Sequence, residues 1–152
     1  MGYLDSELVL SAAQATTAFN IGDNPSTNVY DTGSAYNNAQ DAEAAQTGEN
    51  LWLNVICNTL FVGAGATIQA VLQSSPDNAT WTDVVLGKAW ALASTSAGFT
   101  LLQVQPPTGT QRYWRTILRI ASANLTGGAV DSYISNTIQY NVQRPSGIPA
   151  IG

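Results

Sequence analysis

The sequence predicts an all-β fold, a single-domain β-sandwich in the form of a jelly roll of about eight strands. Two observations lead to this prediction. Apolar and polar residues alternate with a period of two in several segments, and short turn signals rich in Gly, Pro and Asn separate these segments. The length of 152 residues suits one domain, and a hydrophobic content of 45% is ordinary for a globular chain.

The N-terminal residues 1–27 are predicted to form an extended arm outside the sandwich. Leu8, Val9 and Leu10 make a short apolar patch in it, small and polar residues follow, and the segment 23–25 is a turn signal. Apolar side chains outside a strand are available to a partner. These three residues are therefore candidate contact residues.

The sandwich domain is predicted over residues 28–142, with a first strand over 28–32. Residues 33–50 are rich in Asn, Ala, Gln and Gly, and are expected to form either a long loop or a short helix over 40–45. A loop of that length in a compact domain is usually functional or ordered by a partner.

The central strands begin at Leu51, and the first of them has two largely apolar faces. One face carries Leu51, Leu53, Val55 and Cys57, and the other carries Trp52, Asn54 and Ile56. Residues 66–73 alternate more cleanly, with Ile68, Ala70 and Leu72 pointing inward. Further strands are expected over 81–86, 89–93 and 99–104, before the prolines of the segment 106–110 end the sheet.

The C-terminal strands are predicted over residues 112–121 and 130–142, with a hairpin turn over 126–128 between them. The first of these strands places Trp114, Leu118 and Ile120 on one face, and Tyr113, Arg115, Ile117 and Arg119 on the other. The C-terminal tail, residues 143–152, is kept extended by its two prolines. Its apolar residues Ile148, Pro149 and Ile151 suggest a docking strap.

The composition argues against an enzyme. The chain has no histidine, one cysteine and only five basic and ten acidic residues. Because histidine is the usual proton shuttle and metal ligand, no catalytic, cofactor-binding or metal-binding residue is predicted. The net charge of −5 disfavours nucleic-acid binding, and no apolar segment approaches the roughly 20 residues of a membrane span.

The four tryptophans allow two interpretations. Trp114 alternates with core residues and is expected to be buried. Trp52 and Trp90 lie on less certain faces, where they could be subunit contacts or platforms for sugar rings.

Five segments and one hairpin stand out by their order along the chain. They are LDSELVLSAAQA (4–15), STNVYDTG (26–33), NLWLNV (50–55), VLQSSPDNATW (71–81), PPTGTQRYWR (106–115) and the Gly127-Gly128 hairpin. Together they resemble the capsid cement (decoration) proteins of tailed, especially short-tailed, bacteriophages. The resemblance implies a jelly-roll protein made in the host cytoplasm and assembled as a homotrimer on the outer surface of the virion head. There it would bridge neighbouring major capsid protein subunits, without catalytic residues or cofactors.

Contacts with the major capsid protein or between subunits are accordingly expected at the apolar positions outside the core. These are Leu8, Val9, Leu10, Trp52, Ile148, Pro149 and Ile151. The alternative is a carbohydrate-binding β-sandwich of a phage receptor-binding or fibre component. That alternative predicts two or more coplanar, exposed tryptophans in a groove.

Overall fold

The computed structural model describes residues 9–31, 52–107 and 111–135. Within these ranges the chain forms nine β-strands in two antiparallel sheets, with a short 3-10 helix over Leu92–Ser94. The strands are β1 (Val9–Ala15), β2 (Gly22–Pro25), β3 (Tyr30–Asp31), β4 (Trp52–Val62), β5 (Thr67–Ser75), β6 (Thr82–Ala91), β7 (Thr100–Val104), β8 (Tyr113–Ala121) and β9 (Gly127–Ser135).

The strand order of the two sheets is that of a jelly roll. Sheet A has the order β1-β9-β4-β7, and sheet B has the order β2-β8-β5-β6, with β3 also paired to β8. Because β2 and β3 pair with successive parts of β8, they act as one interrupted strand. Counted once, they give eight strands in two sheets, and the predicted β-sandwich is confirmed.

The inner faces of the two sheets form the hydrophobic core. The residues of β5 that were predicted to point inward are all buried, namely Ile68, Ala70 and Leu72. The face of β8 that carries Trp114, Leu118 and Ile120 is buried as well. The indole Nε1 of Trp114 donates a hydrogen bond to the carbonyl oxygen of Gln111 (2.7 Å). The ring of Tyr30 meets the Trp114 ring edge-on, with 5.6 Å between centroids. The largest core side chain is thus fully packed and its polar group is satisfied.

The N-terminal segment differs from the arm predicted over residues 1–27. Residues 9–15 form β1, which pairs with β9, and residues 22–25 form β2, which pairs with β8. Leu10 is 0% exposed and belongs to the core, not to an exposed arm. The register of β1 shifts twice, and Ala13 has a φ of 45°. Because these irregularities interrupt the regular exchange of faces, the residues of β1 do not follow the period of two by which a strand is recognised in a sequence.

Two other boundaries differ from the sequence prediction. Residues 81–86 and 89–93 were predicted as separate strands, but β6 runs continuously through Gly87, where its register with β5 shifts. A Cβ at Gly87 would lie 2.6 Å from the carbonyl oxygen of Ala70, so the close approach of β5 requires glycine there. Gly127 and Gly128 begin β9 instead of forming the preceding turn.

Several predictions fall outside the described residues. They concern Leu8, the segment 33–50, the end of the last strand beyond residue 135, and the tail with Ile148, Pro149 and Ile151. Within the described ranges, no helix combines the length and apolar character of a membrane span.

Candidate interaction surface

The outer face of sheet A carries an apolar and aromatic patch. The register places Val9 opposite Tyr133, and Tyr133 opposite Asn54. Trp52 and Ile56 flank Asn54 at a spacing of two residues and therefore share its face. Val9, Trp52, Ile56 and Tyr133 are all half-buried, and we call these four residues the sheet A patch. The second apolar face predicted for residues 51–57 is this outer face.

A buried amide lies within the sheet A patch. Asn54 is 0% exposed although it lies on the outer face of β4. Its Nδ2 donates to the Ser135 Oγ (2.9 Å) and to the Trp52 carbonyl oxygen (3.2 Å), and its Oδ1 accepts from the Gln103 Nε2 (2.9 Å). Because a buried amide without partners is costly, this network fixes the positions of β4, β7 and β9. The patch is therefore built on a rigid base.

Asp131 places a negative charge beside the sheet A patch, opposite Ile56. Its carboxylate accepts hydrogen bonds from the main-chain N–H of Ala13 and from the Asn58 Nδ2 (2.8 Å). Burial, and then the negative charge of Asp131, raise the pKa of the Tyr133 phenol above its usual value. Tyr133 thus keeps its proton at neutral pH, and its hydroxyl can donate to a partner.

The structure brings together two of the predicted contact residues. Val9 on β1 and Trp52 on β4 are far apart in the sequence but both belong to the sheet A patch, while Leu10 lies in the core. Leu8, Ile148, Pro149 and Ile151 lie outside the described residues. The sequence reasoning did not single out Tyr133. The period of two could have identified it, because residues 131, 133 and 135 of one strand lie on the same face.

Three of the four tryptophan rings, those of Trp52, Trp90 and Trp114, lie in separate environments. Trp52 lies in the sheet A patch and Trp114 in the core. The Trp90 ring meets Phe99 edge-on at 4.9 Å, and the Lys88 Nζ lies 4.3 Å from the Trp90 ring centroid. Among the described residues, no ring contact joins two tryptophans.

A ladder of charged and amide side chains crosses the outer face of sheet B. Arg119 donates from Nε to Asp23 (2.7 Å) and from Nη2 to Asp83 (3.0 Å). The Gln73 Nε2 donates to Asp83 (2.8 Å), and the Gln73 Oε1 accepts from the Arg115 Nε (2.9 Å). The hydrogen bond from Gln73, and then Arg119, lower the pKa of Asp83, and the two carboxylates raise the pKa of Arg119. We call these five residues the sheet B ladder.

The described residues offer little that could support chemistry or a small ligand. The Cys57 thiol is buried, and burial raises its pKa, so it is not poised as a nucleophile. A cavity of about 10 Å³ lies between the sheets beside Ser11, Thr116 and Ser132, which is room for one water molecule. No cluster of three metal-ligating side chains occurs within the described ranges. The two outer faces are therefore the candidate functional surfaces.

Comparison with known proteins places this chain in one family. No curated protein matches it. The Bbp16 family, in contrast, matches residues 10–134, which take in nearly all of the nine strands. This match indicates a phage-related protein. Since it covers most of the sandwich, the chain belongs to the Bbp16 family.

Proposed function

We propose that the protein is a structural component of a phage virion. It binds the outside of the assembled head and stabilises the contacts between major capsid protein subunits, as a cement or decoration protein. The sheet A patch is the observation that carries this proposal. Family membership and the resemblance to cement proteins support it.

The chemistry of the sheet A patch suits a protein interface. Tryptophan and tyrosine are enriched among the residues that dominate binding energy at interfaces, and isoleucine adds apolar area. The patch spans three strands of one sheet and rests on the hydrogen-bonded Asn54, so it is ordered before a partner arrives. Preordered surfaces lose less conformational freedom on binding, which favours affinity.

Cementing works by mass action. A protein that binds only the assembled, expanded shell lowers the free energy of that state, and the effect is repeated at every site on the lattice. Self-association, with a homotrimer as the expected state, multiplies the contacts that each bound unit makes.

The first test is the copy number of the chain in purified virions, measured by quantitative mass spectrometry against the major capsid protein. A lattice-wide cement is expected in near-equimolar amount. A few copies per particle would instead support the alternative, a receptor-binding or fibre component that binds carbohydrate. Absence from the particle would overturn the proposal.

The second test asks whether the sheet A patch makes the contact. Shells that lack the chain are incubated with the purified protein, and bound protein and shell melting temperature are measured. The double variant Trp52→Ala/Ile56→Ser is expected to bind weakly and to leave the shell melting temperature unchanged. Leu86→Ser is the control for the isoleucine change. It removes an exposed apolar side chain of the same size as Ile56, but from sheet B. Equal binding by both variants would exclude the sheet A patch as the contact.

A further inference from the structure

The three arginines of residues 112–119 differ in how they are paired. Arg112 makes two hydrogen bonds with the carboxylate of Asp31 (2.7 and 2.8 Å). Arg119 is paired with Asp23 and with Asp83. Arg115 lies between them in the sequence, on β8, yet it forms no ion pair with any residue that the structure describes.

Arg115 is nevertheless held firmly in place. Its guanidinium group lies 4.2 Å from the Trp81 ring centroid, and its Nε donates to the Gln73 Oε1 (2.9 Å). Gln73 is itself fixed by a hydrogen bond to Asp83. Partial burial lowers the pKa of Arg115, and the negative charge of Asp23, which is paired with Arg119, offsets this only in part. A stacked, preordered guanidinium with donors to spare is suited to a carboxylate in bidentate geometry.

The neighbours of Arg115 are also typical of an interface. Tyr113 lies two residues before Arg115 on β8 and therefore shares its outer face. Across the sheet, Gln73 pairs with Arg115 and Ser75 pairs with Tyr113. Tryptophan, tyrosine and arginine are the three residue types most enriched at positions that dominate binding energy.

We propose that Trp81, Tyr113 and Arg115 form a docking site for a carboxylate side chain of a second copy of this chain. The inference rests on the self-association included in the proposed function, and not on binding to the capsid.

The distribution of charge favours a second copy as the partner. The five carboxylates within the described residues are already engaged: Asp23, Asp31 and Asp83 by arginines, Asp77 by its own turn, and Asp131 by Ala13 and Asn58. The other five belong to Asp5, Glu7, Asp41, Glu43 and Glu49, which lie outside the described ranges with one basic residue, Arg144. A neighbouring copy therefore brings a surplus of carboxylates to an arginine that forms no ion pair with the described residues.

The test compares two variants that each remove one positive charge from beside a tryptophan ring. Arg115→Gln changes the proposed site. Lys88→Gln is the matched control, because the Lys88 Nζ lies 4.3 Å from the Trp90 ring centroid on an exposed part of β6. Self-association of the full-length chains is measured by sedimentation equilibrium at low and high salt.

We expect Arg115→Gln to raise the dissociation constant for self-association at least about tenfold, and Lys88→Gln to leave it near the wild-type value. Arg115→Lys should be intermediate, because lysine keeps the charge but loses the planar, stacked geometry. Added salt should weaken self-association of the wild type more than that of Arg115→Gln.

Circular dichroism and thermal melting establish that each variant is folded. If Arg115→Gln does not fold, Arg115→Lys decides, and wild-type affinity of that variant would overturn the proposal. A wild-type chain that stays monomeric would also overturn it. The proposal would also be overturned if Arg115→Gln lowered the melting temperature but left self-association at the wild-type level. The carboxylate that binds Arg115 would then belong to the same chain.

Binding to shells that lack the chain separates this inference from the proposed function. Arg115→Gln is expected to lose self-association while its single subunits keep the sheet A patch for the shell. Loss of shell binding with unchanged self-association would assign Arg115 to a capsid contact and overturn the docking site. Failure of the wild type to bind shells, with Arg115-dependent self-association intact, would overturn the capsid function alone.

Discussion

The hydroxyl groups of Thr116 and Ser132 lie 2.9 Å apart in the core and join sheet B to sheet A through a hydrogen bond. Both residues are buried, with exposed fractions of 4% and 0%. Within a core of mainly aliphatic and aromatic side chains, this bond is directional where apolar packing is not. It therefore helps to fix how the two sheets lie against each other.

Removal of both partners of this bond should destabilise the protein less than the two single removals added together. Ser132→Ala is expected to lower the free energy of unfolding by about 1–3 kcal/mol, because it leaves a buried hydroxyl without that partner. The double variant Thr116→Val/Ser132→Ala should cost less than the sum of the two single variants. Denaturant unfolding of all four proteins measures the coupling, and strict additivity would show that the bond contributes nothing.

Adjacent residues of β1 should respond differently to truncation. Leu10→Ala is expected to lower the free energy of unfolding by about 2–5 kcal/mol, because it opens a cavity in the core. Val9→Ala, in the sheet A patch, should cost less than about 1 kcal/mol of stability but weaken binding to shells. Equal destabilisation by the two variants in denaturant titrations would contradict the placement of β1.

Gly128→Ala should lower the free energy of unfolding more than Gly65→Ala, although both glycines have a positive φ. Gly128 has a φ of 111°, and a Cβ there would lie 2.8 Å from the Phe61 Cα. Gly65 has a φ of 74° but nothing within 4 Å of the corresponding position. Both alanine variants carry backbone strain, and the overpacking at Gly128 should add about 1–3 kcal/mol to its cost. Thermal and chemical unfolding of the two variants test this difference, and equal losses would count against it.

The acid sensitivity of the fold should depend on Asp77. The main-chain N–H groups of Thr80 (2.8 Å) and Ala79 (2.9 Å) and the Ser75 hydroxyl (2.9 Å) donate to its carboxylate. They hold its pKa at about 2, below the ordinary value of 3.8. The unfolded chain therefore binds the proton more readily, so this contribution to stability is fully present above the ordinary pKa and is lost as the pH falls towards 2.

Asp77→Asn should flatten the dependence of unfolding free energy on pH between about 2 and 4, because asparagine does not titrate there. Urea unfolding at closely spaced pH values measures the slope. An NMR titration of the Asp77 carboxyl carbon in the wild type provides the direct control. An unchanged slope in the variant would refute the role of Asp77.

The alternation of residues in β5 and β8 predicted correctly which residues share a face. Trp114 and Ile120 point into the core, and Arg115 and Arg119 lie on the outer face, as a period of two requires. This information is local, because it needs only the side chains of one strand. The same local rule failed for β1, where register shifts and the positive φ of Ala13 disturb the alternation.

The sequence by itself determined the fold class, the alternation of residues between the two faces of β5 and β8, and the scarcity of groups for catalysis. Only the tertiary structure decided which strands are neighbours. It brought Val9 beside Tyr133 in the sheet A patch, and Asp23 beside Arg119 in the sheet B ladder. The physical reason is that strand neighbours are selected by register and packing between residues far apart in the chain. The periodicity of a single strand carries no information about that choice.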